Sequence, residues 1–363
     1  MNRQVTFLAV MILCFLICDN VQAIVQYTVT DLGTLGGTAS SAWGINASGQ
    51  IVGTAKITGD AGQHAFFYSG STMIDLGTLG GTESSAEDIN DNGQVVGWAS
   101  TPGNGNNLAF LYSGSTLTDL GALGGWWSFA WSINNSGKVV GGASTLSNAA
   151  DRAFLYNGST MADLGTLGGR DSLAYGINES GQVVGRSYTT SNAIHAFLYS
   201  GSTMTDLGTL GGSTSLAYSI NSSGQIVGYA FTNDNATHAF IHNGSTMTDL
   251  GTFGGTSSEA IAINNYGQVV GWASIAGDAQ HAFLYNGSTM TDLNALIDPV
   301  SGWTLQMARD INDGGQIVGY GINPTGQTHA FLLTPVPEPS TLALLCSALL
   351  GLGWVLLVRR RVV

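Results

Sequence analysis

The chain has 363 residues, of which 44% are apolar, only 9% are charged and 52 are glycine, and its formal net charge is −13 at pH 7. Chains that are disordered through high charge lack apolar residues to bury, whereas this one has 13 Phe, 12 Tyr and 8 Trp, which excludes that class. Glycine is about twice as frequent as the usual ~7% but lacks the three-residue period of collagen, so the many turns it implies favour an all-β fold.

Residues 1–23 have the composition of a secretory signal peptide. Arg3 supplies the positive start, the run from Val5 to Cys18 is apolar, and Val21-Gln22-Ala23 precedes the expected cleavage after Ala23. A permanent membrane anchor is the alternative, and the shortness of the apolar run argues against it.

Residues 24–334 contain one unit repeated seven times, so we expect a single domain there. Each copy contains an Asp-Leu pair, an Ile-Asn pair followed by Gly-Gln or Gly-Lys, and a segment that usually reads His-Ala-Phe. In two copies Leu108 and Arg152 replace the His of this segment. The repeat resembles that of the HAF-repeat family of extracellular proteins. The resemblance covers residues 27–333 and implies no activity. The Asp-Leu pair recurs every 43 or 44 residues, at Asp31, Asp75, Asp119, Asp163, Asp206, Asp249 and Asp292.

Each copy contains four short apolar runs separated by turn residues. The Asn221-Ser222-Ser223-Gly224 and Asn243-Gly244-Ser245 links of the fifth copy are hairpin signals. Four strands per ~44 residues, with apolar side chains on both faces, predict a seven-bladed β-propeller. The runs of the fifth copy are a (Thr203 to Leu207), b (Leu216 to Ile220), c (Gln225 to Ala230) and d (His238 to His242).

The phase of the repeat predicts how the propeller closes. If the Gly-rich stretch after Asp-Leu joins successive blades, each blade runs b, c, d, a, and the seventh blade lacks its own strand a. The N-terminal stretch Tyr27 to Leu32 can then pair with Phe331-Leu332-Leu333 and remove the exposed edges. A blade that runs a, b, c, d is the alternative, without this closure. In either order, run b has Ala at its second apolar position in every copy, which indicates a close contact: Ala42, Ala86, Ala130, Ala174, Ala217, Ala260 and Ala308.

The repeated polar residues favour structural roles over catalysis. An active site is normally single, whereas seven Asp at one repeat position suit hydrogen bonds to backbone N–H groups of the following turn. A pairing of these Asp with the His of run d can only be auxiliary, because two copies lack that His. Asp88 to Gly93 match the first half of an EF-hand loop, but Ala99 stands where the bidentate Glu is needed. We predict no catalytic residue, no cofactor and no metal site.

Departures from the repeat collect on one predicted face, formed by the c–d loops and the links between blades. Trp126 and Trp127 lie in the third link, and an insertion near Trp303 lengthens the last link by five residues. Flat aromatic surfaces suit sugar rings or a partner protein, so these residues form a candidate ligand face. The alternative is that the three side chains only cover the neighbouring blade.

The C-terminal segment has the order of an address signal. Residues 335–340 form a Pro-rich spacer, residues 341–358 are uncharged and long enough for a transmembrane helix, and residues 359–363 form a basic tail expected in the cytoplasm. This order, with Val336, Pro337, Glu338 and Pro339 before the helix and Arg359, Arg360 and Arg361 after it, resembles the bacterial PEP-CTERM sorting signal. The resemblance implies recognition by an exosortase-type protease, removal of the tail, and delivery to the cell surface or an extracellular matrix. An anchor that is never cut is the alternative.

Two counts exclude other classes of function. Residues 24–335 hold only six of the ten basic residues against 21 of the 23 acidic ones, so nucleic acid is excluded as a partner. The three cysteines, Cys14, Cys18 and Cys346, lie in the terminal apolar segments, which excludes disulfides from the repeat domain.

Together these features predict an exported propeller that acts as a non-enzymatic binding or structural module at the cell surface or in the matrix. Exopolysaccharide or another surface protein is the expected partner, beside the exosortase and, through the C-terminal helix, the membrane. A secreted polysaccharide hydrolase or lyase on the same fold is the alternative, and it would need a carboxylate pair near the axis. A purely structural coat component is the third hypothesis.

Overall fold

The computed structural model describes residues 27–336. Within it, residues 28–334 form one compact unit of β-strands and short 3-10 turns. No helix among the described residues is apolar and long enough to cross a bilayer. The signal peptide predicted for residues 1–23, the transmembrane helix predicted for residues 341–358 and the basic tail of residues 359–363 lie outside the described residues.

Twenty-eight strands follow one another along the described residues. The first fourteen are β1 (Tyr27–Asp31), β2 (Gly36–Ile45), β3 (Ile51–Ile57), β4 (Gln63–Tyr68), β5 (Met73–Asp75), β6 (Ser84–Ile89), β7 (Val95–Ser100), β8 (Asn107–Ser113), β9 (Thr116–Asp119), β10 (Gly124–Ile133), β11 (Val139–Thr145), β12 (Asp151–Tyr156), β13 (Met161–Asp163) and β14 (Gly168–Ile177). The others are β15 (Val183–Thr189), β16 (Ile194–Ser200), β17 (Thr203–Asp206), β18 (Gly211–Ile220), β19 (Ile226–Thr232), β20 (Thr237–His242), β21 (Met247–Gly251), β22 (Gly254–Ile263), β23 (Val269–Ile275), β24 (Gln280–Tyr285), β25 (Met290–Asp292), β26 (Thr304–Ile311), β27 (Ile317–Ile322) and β28 (Thr328–Pro335). The 3-10 turns are Thr58–Asp60, Pro102–Asn104, Leu146–Asn148, Leu293–Ala295 and Pro299–Ser301.

The described strands fall into seven antiparallel sets of four. Sets 1 to 6 consist of consecutive strands: β2–β5, β6–β9, β10–β13, β14–β17, β18–β21 and β22–β25. Set 7 has the order β1-β28-β27-β26, so its outer strand comes from the N-terminal side of the domain. Single parallel bridges, Ile194 to Thr214 and Thr237 to Ser257, connect sets 4, 5 and 6. Every set therefore has the order b, c, d, a, which the phase of the repeat predicted.

Strand b is longer than predicted. In the fifth copy it spans Gly211–Ile220 instead of Leu216–Ile220, because Gly211 already pairs with Thr232 of strand c. Glycine is a weak strand signal. Here Gly211 has φ of +103° and precedes a register shift, an irregular strand start that glycine adopts without strain. The same extension places Trp126 and Trp127 on β10, so the prediction that they lie in a linking loop was wrong.

Apolar cores lie between neighbouring sets. One of them contains Val52 and Ala65 of set 1 together with Ala86, Val95 and Phe110 of set 2. Equivalent clusters recur between other successive sets. Both faces of a set are thus covered, which explains why large apolar residues occur on both faces of strands c and d. The Phe of each His-Ala-Phe segment is fully buried: Phe66, Phe110, Phe154, Phe197, Phe240, Phe283 and Phe331.

The close contact predicted at the repeated alanines is present. All seven are fully buried, and each pairs with a glycine of strand c, as Ala130 does with Gly141. A Cβ on Gly141 would overlap the carbonyl oxygen of Phe129 and lie 2.7 Å from the Phe154 ring. The space between strands b and c therefore admits only glycine at this position.

A buried asparagine in each b–c turn joins its set to the next. Asn178 accepts a hydrogen bond at Oδ1 from the backbone N–H of Gln182, 3.0 Å away, which closes its own turn. Its Nδ2 donates to the carbonyl oxygen of Asn221 in the following set, 3.1 Å away. The same amide-to-carbonyl bond, of 3.0–3.2 Å, runs from Asn46 to Asn90, Asn90 to Asn134, Asn134 to Asn178, Asn178 to Asn221, Asn221 to Asn264, Asn264 to Asn312, and Asn312 to Asn46. The series returns to its first member.

We expect Gly141→Ala to destabilise the protein by roughly 2–3 kcal/mol, because a methyl group has no room beside the Phe129 carbonyl. The free energy of unfolding in urea measures the effect. Gly105→Ala is the matched control, since a Cβ there meets its nearest neighbouring atom at 3.9 Å. Equal stability of the two variants would contradict the close approach.

Candidate functional site

One side chain from each of the seven copies lines a single cavity of about 420 Å³. This volume lies within the range of ~300–1,000 Å³ typical of small-molecule sites. The seven residues directly follow the buried alanines, and they differ in size and charge from copy to copy. They are Trp43, Glu87, Trp131, Tyr175, Tyr218, Ile261 and Arg309, and we call them the axial residues.

A β-bulge turns the axial residues into the cavity. The pairing of strand b with strand c shifts by one residue directly after the alanine in every set, for example between Ala130 and Ser132 of β10. The residue between them, Trp131, is left without a partner on strand c. Bulges commonly redirect a side chain in this way.

An aromatic wall covers one side of the cavity and spans sets 3, 4 and 5. The ring centroids of Trp131 and Tyr175 are 5.0 Å apart with planes at 51°, and those of Tyr175 and Tyr218 are 5.5 Å apart with planes at 59°. All three side chains are half-buried, so part of each ring faces the cavity. Such tilted contacts are favourable between aromatic rings and hold the wall in place.

Arg309 and Trp43 meet across sets 7 and 1 and carry two unused donors. The guanidinium carbon of Arg309 lies 4.1 Å from the centroid of the Trp43 ring, a cation–π contact. Among the buried side-chain nitrogen and oxygen atoms of the described residues, Arg309 Nε and Trp43 Nε1 are the two without a hydrogen-bond partner. A buried donor without a partner costs about 1–3 kcal/mol, so these two atoms call for a functional explanation.

The charge of Arg309 acts on two glutamates, Glu87 and Glu259, neither of which forms a salt bridge to it in the described part of the chain. Burial raises the pKa of Glu87 and that of Glu259, and the charge of Arg309 opposes both shifts. Burial lowers the pKa of Arg309. Tyr218 donates a weak hydrogen bond of 3.4 Å to Glu259. The cavity therefore combines a buried cation, weakly hydrated carboxyl groups and aromatic faces.

Asp88 and Asp310 lie beside the axial residues and connect neighbouring sets. Asp310 accepts hydrogen bonds from the backbone N–H of Ile311 and, across the junction of sets 7 and 1, from that of Ile45, both 2.8 Å long. Asp88 accepts in the same way from Ile89 and, across sets 2 and 3, from Ile133. Burial raises the pKa of Asp88 to about 6, and burial together with repulsion from Asp88 raises the pKa of Asp310 to about 7.

The raised pKa of Asp310 predicts a pH dependence of stability. The folded state binds this proton more tightly than the unfolded chain, whose Asp pKa is about 3.9, so its stabilising contribution is lost as the pH rises from about 4 to about 7. Asp310→Asn lacks this titration. We expect the variant to gain roughly 1–3 kcal/mol of unfolding free energy relative to the wild type between pH 4.5 and 8. Urea unfolding at both pH values measures this, and parallel pH profiles would contradict it.

The Asp of each Asp-Leu pair makes the turn hydrogen bond that the sequence predicted. In all seven copies one carboxylate oxygen accepts from the backbone N–H two residues later, at 2.7–2.8 Å. Each of these Asp side chains except Asp119 also contacts a basic side chain, which is auxiliary, as expected. In five copies this is the His of strand d, as for His64 and Asp75 at 2.8 Å, and in one copy Arg152 contacts Asp163 at 3.4 Å. Asp119 keeps its turn without such a partner beside Leu108.

The structure separates the three tryptophans of the candidate ligand face. Trp126 is 67% exposed, and its backbone N–H donates to Asn148 of the c–d loop, which places it on the predicted face. Trp127 is half-buried against Phe129, with ring centroids 5.4 Å apart. Trp303 is half-buried edge-on against Phe331, at 6.3 Å. Two of the three therefore also cover neighbouring aromatic residues.

Reasoning from the sequence missed the axial residues. The predicted variable face drew attention to loops, whereas these residues lie inside strands. A signal was present: the repeated Ala stays the same in every copy, whereas the position directly after it changes from Trp43 to Glu87 to Arg309.

Comparison with protein families matches residues 335–361 to the PEP-CTERM protein-sorting motif. The chain carries this sorting signal. The motif implies export to the cell envelope or surface and recognition by an exosortase, as the sequence predicted. A second match, to a protein of unknown function (DUF3466), covers residues 208–329, about a third of the chain. No curated protein matches the chain significantly.

Solved structures share the fold at low sequence identity. The structure described as "YCF48 bound to D1 peptide" has a TM-score of 0.50 and 10% identity, and the match covers 86% of this chain and 96% of that one. The acylaminoacyl peptidase of Pyrococcus horikoshii has a TM-score of 0.51 and 10% identity, over 86% of this chain and 55% of the peptidase. The WD40 β-propeller domain of Doa1 has a TM-score of 0.42 and 11% identity, over 86% and 98%. The described part of the chain is all-β, and its likeness to the first two of these structures concerns the fold alone.

Proposed function

We propose that this chain is an exported binding module without enzymatic activity, delivered to the cell surface or its matrix on a seven-bladed β-propeller. The observation that carries the proposal is the contrast between positions of the repeat. Ala, Gly, Phe and Asn recur unchanged in all seven copies and are used in packing or in joining the sets. The axial residues differ and line one cavity, which is the pattern expected of a rigid fold that holds a single binding site.

Three contacts support closure of the propeller by its N-terminal strand. β1 pairs with β28, and the Leu32 backbone N–H donates to the Ala330 carbonyl at 3.0 Å. Asp31 of β1 pairs with His329 at 2.8 Å, as Asp75 does with His64 within set 1. The asparagine series crosses the same junction.

The non-enzymatic assignment rests on how the cavity carboxylates are used. Both oxygens of Asp88 and both of Asp310 accept backbone N–H groups, so these residues are committed to holding sets together. A carboxylate that acts as acid, base or nucleophile needs a free oxygen directed at the substrate.

A secreted polysaccharide hydrolase or lyase is the second candidate. One observation favours it: two carboxyl groups beside the cavity influence each other, and their pKa values of about 6 and about 7 fall in the range that suits a general acid. Release of new reducing or unsaturated ends from matrix polymers would identify this activity.

We expect exopolysaccharide from the producing cell's matrix to retard the protein in affinity gels without release of new chain ends. Tyr218→Ala tests the cavity, and Trp126→Ala with Trp127→Ala tests the outer face, where contact with a polymer or a surface protein is also proposed. Tyr266→Ala is the matched control, because Tyr266 is 77% exposed and lies in a b–c turn. Turnover of the matrix polymer by the wild type but not by Asp310→Asn would replace the binding assignment by the enzymatic one. Self-association of the protein without retardation by the polymer would favour the structural coat component.

The terminal segments are proposed to act in sorting. The resemblance of the repeat to the HAF-repeat family of extracellular proteins agrees with an extracellular location. The signal peptide is cleaved after Ala23, the helix of residues 341–358 enters the membrane, and exosortase removes the tail with Arg359, Arg360 and Arg361. We expect the mass of the exported protein to correspond to a chain that starts at Ile24 and lacks these arginines. Replacement of Pro337, Glu338 and Pro339 by alanine should preserve the tail. A wild-type mass that extends to Val363 would show an uncut anchor instead.

A further inference from the structure

We propose that the cavity lined by the axial residues binds a neutral pyranose sugar, stacked on the wall of Trp131, Tyr175 and Tyr218 and hydrogen-bonded to Arg309 and Trp43. The inference rests on the proposed binding function and names its ligand. It is carried by three features of the same cavity: its aromatic wall, its two unused donors and its charge balance.

The aromatic wall matches the apolar face of a sugar ring. An aromatic ring is negative on its face, and the C–H groups on one side of a pyranose are weakly positive, so the two surfaces attract each other on contact. The centroids of Trp131, Tyr175 and Tyr218 follow one another at 5.0 and 5.5 Å. A flat, rigid ligand can therefore rest on one ring while its edge meets the next.

The unused donors supply the hydrogen bonds that such a ligand accepts. Arg309 Nε and Trp43 Nε1 are both buried without a partner, and the two side chains lie in contact at 4.1 Å. Ring and hydroxyl oxygens of a sugar accept N–H hydrogen bonds. A bound sugar would thus supply both buried donors with the acceptors that the protein does not provide.

The charges of the cavity select a neutral ligand with hydroxyl groups. The carboxyl groups of Glu87, Asp88 and Asp310 line the cavity and disfavour an anion, and that of Glu87 can accept hydroxyl donors. A ligand cation would meet Arg309, which already occupies the face of Trp43. A polyol ring satisfies both conditions.

The test uses the full chain, solubilised in a detergent without a sugar headgroup. Glucose, galactose, mannose and N-acetylglucosamine are titrated to tens of millimolar, with glucuronate and choline as the charged comparison. Tryptophan fluorescence reports binding, because Trp43 and Trp131 line the cavity. We expect at least one neutral sugar to bind, with at least roughly tenfold weaker binding in Tyr218→Ala and in Arg309→Met. Tyr266→Ala, the matched exposed tyrosine, should bind like the wild type.

Thermal unfolding separates a ligand role of Arg309 from a structural one. Its Nε has no partner in the protein, and the Met side chain can replace the cation–π contact with Trp43 by apolar packing, so Arg309→Met should unfold within ~3 °C of the wild type while sugar binding weakens at least roughly tenfold. Sugar binding that survives in both cavity variants would overturn the cavity assignment. Preference for glucuronate or choline, or no response to any of the four sugars, would overturn the ligand class. Retention on matrix polymer in the absence of any sugar response would leave the proposed binding function standing and this inference refuted.

Discussion

The hydrogen bond from each turn asparagine to the carbonyl of the next is the constraint on which the arrangement of the sets depends. The amide closes its own turn with its oxygen and reaches the neighbouring set with its nitrogen, as Asn178 does toward Gln182 and Asn221. Both ends of the bond come from the same repeat position, so every turn must keep the same length. Every b–c turn does span five residues, whereas the c–d loops, which make no such bond, vary in length.

This division of labour leaves the bulged position of strand b free to vary. The alanine before it is fixed by the glycine opposite, and the Ile-Asn pair that begins two residues after it is fixed by the core and the turn. The bulged residue has no partner on strand c, so Trp, Tyr, Glu, Ile and Arg all occur there within the same strand pairing. A repeat protein can in this way keep the residues that pack and join its sets identical and still form a cavity lined by different side chains in each set.

Much of the fold could be predicted from the sequence, because its signals are local and repeated seven times. Strand order, turn positions, the alanine contact and the role of the Asp carboxylates all follow from turn chemistry and periodicity. The start of strand b at Gly211 was missed because glycine carries no strand signal. The cavity was missed because a bulge changes which face of the sheet a side chain points to. The order of apolar and polar residues in the sequence does not reveal this one-residue shift in pairing.

The outer strand of set 7 has a consequence for secretion. In the proposed export, which begins at the N-terminus, β1 is the first strand of the domain to cross the membrane, yet its partner lies almost 300 residues later, and Asp31 and His329 are 298 positions apart. The six sets made of consecutive strands can form as they emerge, because their contacts are local. β1 has to wait unpaired until the last strand arrives. In such export set 7 is completed only when β28 has followed, and the sorting signal of residues 335–361 is the next segment.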